Sequence, residues 1–409
     1  MAARFDHLII GSGVAGLTAA ETLRQRAPDD SVAVVGEEPH RPYSRVMLPD
    51  VVSGERAPDE LFLRPEGHLE GKGIAFMPGR RVVSVDPAAH AVTLDGDERI
   101  EYGQLLVATG CHPRRLAVPG AEQADVFYLH GLDDAERLRA RLAPGKRVLV
   151  YGGGFVAMEL AVACRAAGAE VTAVMRGPGF FHRSLTLSGL AAVSREMAAS
   201  GVTVFSGRSV VRVRAAGKRA EAVLDDGVVL PADVLAVGLG IEPNVGFLAG
   251  SGLALADGVV VDDRLRASAP DIFAAGDVAV FPDALAGRSR AGATWQNAML
   301  QGRAAALNMA GADQPFALAA SHAVSCFGLP VVFLGDPDAP RAVVVDRDYQ
   351  DGSSARLFLK EGRLVGATCV GKFIERAAAS ALMAGRVAIP ERQLYRLADP
   401  AVPLASLAG

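Results

Sequence analysis

The chain has 409 residues, half of them hydrophobic and 22% charged, which excludes a disordered chain and predicts two or three domains. A formal net charge of −4, from 42 basic and 46 acidic side chains, gives no basic excess for nucleic acid. Four cysteines (Cys111, Cys164, Cys326 and Cys369) with no C-x-x-C spacing exclude a disulfide scaffold and a structural zinc site, so no metal is expected.

The apolar stretch before Gly11 is too short for a signal-peptide core. No apolar run approaches the ~20 residues of a membrane helix, and a cytoplasmic location is expected. His7 to Ile10 predicts a strand. It runs into Gly11-Ser12-Gly13-Val14-Ala15-Gly16, an Ala/Leu-rich helix to Arg26, and a second strand from Ser31 to Val35. Strand, glycine turn, helix, strand is the setting in which G-x-G-x-x-G binds a dinucleotide. The first glycine makes the tight turn and the second lets backbone N–H groups approach a pyrophosphate. The third lets the helix pack close, while the helix N-terminus supplies partial positive charge. Glu37, 21 residues beyond Gly16, has the spacing of an acid that hydrogen-bonds an adenosine ribose, with Glu38 as its less favoured neighbour.

The same design returns 141 residues later. Val148 to Val150 leads into Gly152-Gly153-Gly154-Phe155-Val156-Ala157, a helix over Met158–Ala167 and a strand over Glu170–Val174. A lone match is often only a Gly-rich turn, but two with correct flanks predict two bound dinucleotides. The second copy ends Ala173-Val174-Met175-Arg176, without the carboxylate that the ribose of NAD wants. Arg176, with His182 and Arg183, suits the 2′-phosphate of NADP. The alternative is an ordinary exposed arginine, so NADPH is only slightly favoured over NADH. Near the C-terminus, Ala342–Asp346, Ala355–Lys360 and Leu364–Val370 predict strands separated by Asp351-Gly352 and Glu361-Gly362, and Phe373–Ala384 predicts a helix.

Together with four further segments, these motifs resemble the two-dinucleotide FAD/NAD(P)H flavoprotein reductases. The nearest likeness is to rubredoxin reductases, oxygenase-type ferredoxin reductases and the FAD domain of NAD(P)H nitrite reductase. The segments are Arg41-Pro-Tyr-Ser-Arg45-Val-Met-Leu48, Leu105-Leu-Val-Ala-Thr109-Gly110, the run from Ala232 through Gly240 to Pro243, and the run from Ala267 to Gly276-Asp277. The resemblance implies an α/β fold of two Rossmann-like domains, the NAD(P) domain inserted into the FAD domain, plus a C-terminal α+β interface domain. The implied boundaries are 1–112 with 244–312 for FAD, 113–243 for NAD(P), and 313–409 for the interface domain, which in relatives supports dimerisation or partner docking.

By the same resemblance, Gly11, Ser12, Gly13, Val14, Ala15, Gly16, Glu37, Arg45, Val82, Thr109, Gly110 and Asp277 would contact FAD. Trp295 falls where the family places a residue over the flavin edge, core packing being the alternative. The helix over Asn297–Met309 would point its N-terminus at the flavin. Gly152, Gly154, Phe155, Val156, Glu159, Arg176 and Gly240 would serve NADPH or NADH. Glu159 stands at the family's acid near the nicotinamide. Asp50 stands where ferredoxin reductases carry a lysine paired with that acid, and His130 where an arginine contacting FAD is common.

Disulfide reductases of this superfamily carry redox cysteines after the ribose acid, but Arg41 to Gly54 contains none. Cys111 is expected to be a small buried residue, and Cys326 and Cys369 core. Without a thiol relay, or the cysteine of the peroxidases, electrons must pass from FAD to an external acceptor. The expected function is NAD(P)H-dependent reduction of an iron–sulfur or rubredoxin-like protein or a partner oxidoreductase. Arg288, Arg290, Lys360, Lys372 and Arg376 are candidates for steering it. A second reading is an FAD-bearing subunit of a larger complex whose nicotinamide site is degenerate.

Overall fold

The computed structural model describes residues 3–217, 219–372 and 375–407. Two compact units emerge: Met1–Ser44 with Leu61–His112 and Glu242–Ala320, and Arg45–Glu60 with Pro113–Ile241 and Ser321–Gly409.

The first unit is built on a seven-stranded sheet. Its parallel part runs Ile74–Met77, Val32–Val35, Ala3–Ile10, Arg99–Val107, and the register His7↔Val32 to Ile10↔Val35 brings the two strand ends of the first βαβ segment level. Ile272–Ala274 pairs in parallel with Leu105–Val107, while Ala91–Leu94 and Val82–Asp86 extend the sheet antiparallel. Leu8, Ile9 and Val32 to Val35 are buried, the continuous apolar signature of a strand covered on both faces. Each such valine, leucine or isoleucine side chain removed from water contributes about 1.5–3 kcal/mol.

The helix Val14–Arg26 crosses Trp295–Met309 at close range, and a Cβ on Gly302 would lie 2.9 Å from Ala15 Cα. The sequence placed the start of the second of these helices at Asn297, but it starts at Trp295, because the Thr294 hydroxyl caps it by accepting from the Asn297 N–H (3.2 Å).

The second unit carries an all-parallel sheet ordered Thr203–Ser206, Glu170–Met175, Arg147–Tyr151, Val234–Val237, Val126–Phe127. The helix after the Arg147–Tyr151 strand is Phe155–Ala166, which starts three residues earlier than the sequence suggested. This unit also holds a five-stranded antiparallel sheet, ordered Ser321–Cys326, Leu329–Gly335, Arg363–Val370, Ser354–Lys360, Val343–Asp348. The first two of these strands were not anticipated. The helix predicted from Phe373 spans Arg376–Ala384 and buries Ala379, Leu382 and Met383; Phe373 and Ile374 lie outside the described residues. Inside this unit the Thr186 hydroxyl, N-cap of Leu187–Ala199, donates to Ser354 Oγ (2.8 Å) and so ties the parallel-sheet region to the antiparallel sheet. Among the described residues no helix is long and apolar enough to cross a membrane.

Candidate cofactor sites

The two glycine turns are built alike. Gly11 has φ +112° and Gly152 φ +146°, values that L side chains rarely adopt. A Cβ at Gly11 would overlap the carbonyl oxygen of Ala108, and one at Gly152 that of Gly238. Gly13 and Gly154, the N-caps of the two helices, have open space where a Cβ would stand. Neither helix has a side-chain cap or an acidic residue in its first turn, whereas Thr186 and Thr294 cap other helices of the chain. Two helix N-termini are thus left with unsatisfied N–H groups beside an open backbone approach, which suits a pyrophosphate.

The third position differs, and a compensating difference explains it. In the first copy Gly16 abuts Gly11 and the facing strand end is Ala108. In the second copy the third residue is Ala157 and the facing strand end is Gly238, where a Cβ would stand 2.7 Å from the Ala157 nitrogen and 3.1 Å from its Cβ. One methyl has moved across the helix–strand contact. Spacing within the motif alone does not reveal the exchange.

Around the first turn the polar groups converge on the strand ends. The Thr109 hydroxyl donates to the Asn244 carbonyl (2.9 Å), the Asn244 amide donates to the Thr109 carbonyl (3.0 Å), and the Asn244 N–H donates to Gly110 O (3.0 Å). This clamp holds Thr109-Gly110 in place. The Cys111 thiol donates to Asp277 Oδ2 (3.6 Å), and Gln301 Oε1 accepts from the Gly276 N–H (2.8 Å). Gln301 is fully buried, and its Nε2 has no partner among the described residues, a spare donor beside Gly276-Asp277. Glu38 accepts from the Tyr43 hydroxyl (2.6 Å), while Glu37 is exposed and 3.5 Å from Arg81 Nε. The positioned acid is therefore Glu38 and the acid open to a ribose is Glu37. Val82 is a buried strand residue, and Trp295 is half-buried in the first turn of its helix. These observations fit FAD: open backbone donors, an exposed acid at ribose spacing and a spare buried amide.

Around the second turn, Met175 closes its strand buried, and Arg176 beyond it is exposed. The His182 imidazole packs against Gly177, so a base and a cation flank that strand end. Gly240 O accepts from the Arg114 N–H (3.0 Å). Phe155, first residue of the helix, keeps 36% of its surface exposed. Glu159 faces a neighbouring acid rather than a cation. Burial and then the Asp50 carboxylate push its carboxyl up to about 7, and Asp50 itself pairs with Arg56 (3.1 Å). Arg45 donates to the His130 carbonyl (2.6 Å), a contact that uses the backbone of His130.

Two expectations change. Cys111 is half-buried, unlike Cys326 and Cys369, which are fully buried as expected of core cysteines, and Cys164, which is fully buried too. Arg290 is not an open surface charge, because its Nε donates to the buried Asp283 carboxylate (2.7 Å).

Residues 5–302 match the model of the pyridine nucleotide-disulphide oxidoreductases. The ferredoxin–NAD(+) reductase component of a biphenyl dioxygenase system from Paraburkholderia xenovorans is 30% identical, over 94% of this chain and 95% of its own length. Subunit epsilon of the NADH-dependent phenylglyoxylate dehydrogenase of Aromatoleum evansii is 29% identical, over 96% and 95%. A crystal structure of a ferredoxin reductase from Rhodopseudomonas palustris superposes with a TM-score of 0.87 at 31% identity, over 99% of this chain and 100% of that one. The chain belongs to the pyridine nucleotide-disulphide oxidoreductase family and is an FAD- and NAD(P)H-dependent oxidoreductase.

Proposed function

We propose that the chain takes electrons from NAD(P)H and delivers them to a small iron–sulfur protein of the ferredoxin class. The observation that carries this reading is the pair of uncapped glycine turns in a chain without a cysteine between Arg41 and Gly54. Two dinucleotide cradles supply a donor and a flavin, and the missing thiol leaves an external acceptor as the outlet. The names of the relatives, a ferredoxin–NAD(+) reductase component and a ferredoxin reductase, support the same acceptor class.

On this reading 1–112 and 244–312 hold FAD, 113–243 hold NAD(P)H, and 313–409 form the interface domain. Gly11 to Gly16 present backbone N–H groups to the FAD pyrophosphate, and Glu37 takes the adenosine ribose. Asp277, steadied by the Cys111 thiol, takes the ribityl hydroxyls. Gly152 and Gly154 hold the nicotinamide dinucleotide and Arg176 its adenosine end. The chemistry supplied by the bound flavin is hydride acceptance and one-electron release. The protein's share is alignment and exclusion of water, with Glu159 beside the nicotinamide carrying a carboxyl that burial and Asp50 raise to about 7, so that much of its charge is suppressed near neutrality. Arg288, Lys360, Lys372 and Arg376 remain as steering charges for an acidic partner. A cytoplasmic location is part of the proposal, supported by four cysteines of which none is bridged.

The test is reconstitution: NADH and NADPH with purified protein and a ferredoxin, followed by reduction of the iron–sulfur centre. Reduction that needs all three components is expected. Nucleotide oxidation that proceeds equally without ferredoxin and forms peroxide overturns the acceptor assignment. The phenylglyoxylate dehydrogenase relative favours a second reading, delivery to a fixed partner oxidoreductase subunit, which predicts co-purification with that subunit.

A further inference from the structure

Phe155, the first helical residue after the second glycine turn, stands in a box of rings. His322 meets it at 4.5 Å between centroids and 63°, Phe333 at 4.7 Å and 71°, and Phe181 at 5.0 Å and 45°. His322 and Phe333 are directly opposed on neighbouring antiparallel strands and stack at 5.0 Å and 8°. Phe181 holds a left-handed backbone (φ +55°), rare for an aromatic residue, and its N–H donates to the carbonyl of Gly153 in the glycine turn (3.0 Å). Burial takes the His322 imidazole down to about 4, so this ring packs uncharged near neutral pH.

Three neighbours therefore fix the Phe155 ring, yet 36% of the residue stays exposed. An aromatic ring gains most by completing its packing, and this one is held short of that at the mouth of a turn shaped for a dinucleotide. We propose that His322, paired with Phe333 on the C-terminal sheet, is a positioning residue that fixes Phe155 so that its open surface receives the nicotinamide half of NAD(P)H. The inference rests on the assignment of the second turn to NAD(P)H. It adds that the antiparallel sheet, and not the Rossmann half alone, shapes the nucleotide site.

The test compares ligands that share the adenosine end and differ in the nicotinamide. Dissociation constants of NAD⁺ and ADP-ribose, and of NADP⁺ and 2′-phospho-ADP-ribose, are measured by calorimetry on FAD-loaded wild type, His322→Ala, His322→Phe and Phe333→Leu. His322→Ala is expected to weaken the nicotinamide-bearing ligands by about five- to tenfold and to leave the ADP-ribose forms unchanged, aromatic pairs being worth on the order of 1 kcal/mol. His322→Phe restores affinity, and Phe333→Leu repeats the loss should the alanine variant fail to fold. Equal loss for both ligand classes, or no loss for either, overturns the inference. A wild type that binds none of the four ligands overturns the NAD(P)H assignment and the inference with it.

Discussion

Glu159 gives the prediction that the structure specifies most closely. An ordinary glutamate in this frame ionises near 4.5, but burial and Asp50 hold Glu159 at about 7. At about 1.4 kcal/mol per tenfold, the difference amounts to about 3 kcal/mol, and partial exposure of the residue trims it to about 2–3 kcal/mol. The folded state binds this proton more tightly than the unfolded chain does. Stability from this group is therefore complete below about pH 4.5, is lost as pH rises through about 7, and is flat above. Glu159→Gln removes the titration, so its melting temperature should gain on that of wild type by about 2–4 °C between about pH 5 and 8. Asp50→Lys replaces the neighbouring acid with a cation and should lower the window in which wild type loses stability. Thermal unfolding of FAD-saturated protein across that range decides the matter. A wild-type-minus-Gln difference that does not change with pH refutes the account of Glu159.

Other consequences are as direct. Gly11→Ala combines a left-handed backbone with an overlap on Ala108 O, so purified variant should retain less than about a tenth of the wild-type FAD content, read from visible absorbance. Gly238→Ala drives a methyl against Ala157 at 2.7 Å and should raise the KM for NAD(P)H by about tenfold or more while FAD content holds. Its double variant with Ala157→Gly should recover part of the loss, because the backbone nitrogen of residue 157 still faces the new methyl. Native protein should react with a thiol reagent at one position only, Cys111, since Cys164, Cys326 and Cys369 are buried and burial raises their thiols. Cys111→Ser should abolish that reaction, and prior FAD loading should slow it.

The two βαβ segments were legible because each is local: an apolar run, a glycine turn and a helix in one stretch of chain. The helix starts at Phe155, in the second segment, and at Trp295, further along the chain, lie earlier than the sequence suggests. Phe155 and Trp295 are large residues at first-turn positions, and what fixes them lies elsewhere, in the ring box and in the Thr294 cap. The exchange of a methyl between Ala157 and Gly238 was invisible for a related reason, as the two residues meet only when the parallel sheet forms. The strands Ser321–Cys326 and Leu329–Gly335 escaped notice because Ser321, His322 and Ser325 dilute the first and Pro330 interrupts the second. Both are held by pairing to each other and to Arg363–Val370. Among the site residues, Asp50 beside Glu159 was anticipated from the departure in residue type. The half-buried Cys111 depends on Asp277, distant in sequence, and the pairing of Arg290 with Asp283 depends on a hairpin whose strands, Ala279–Asp283 and Arg288–Ala291, carry no plain strand pattern.

Everything functional here depends on electrons moving from a nicotinamide into a flavin held by this chain. The direct measurement is an anaerobic titration of the purified, FAD-loaded protein with NADH and, separately, NADPH, watching the visible flavin absorbance. The account predicts stoichiometric bleaching by at least one of the two nucleotides. Protein that takes up no FAD, or a yellow protein whose spectrum neither nucleotide alters, would contradict it.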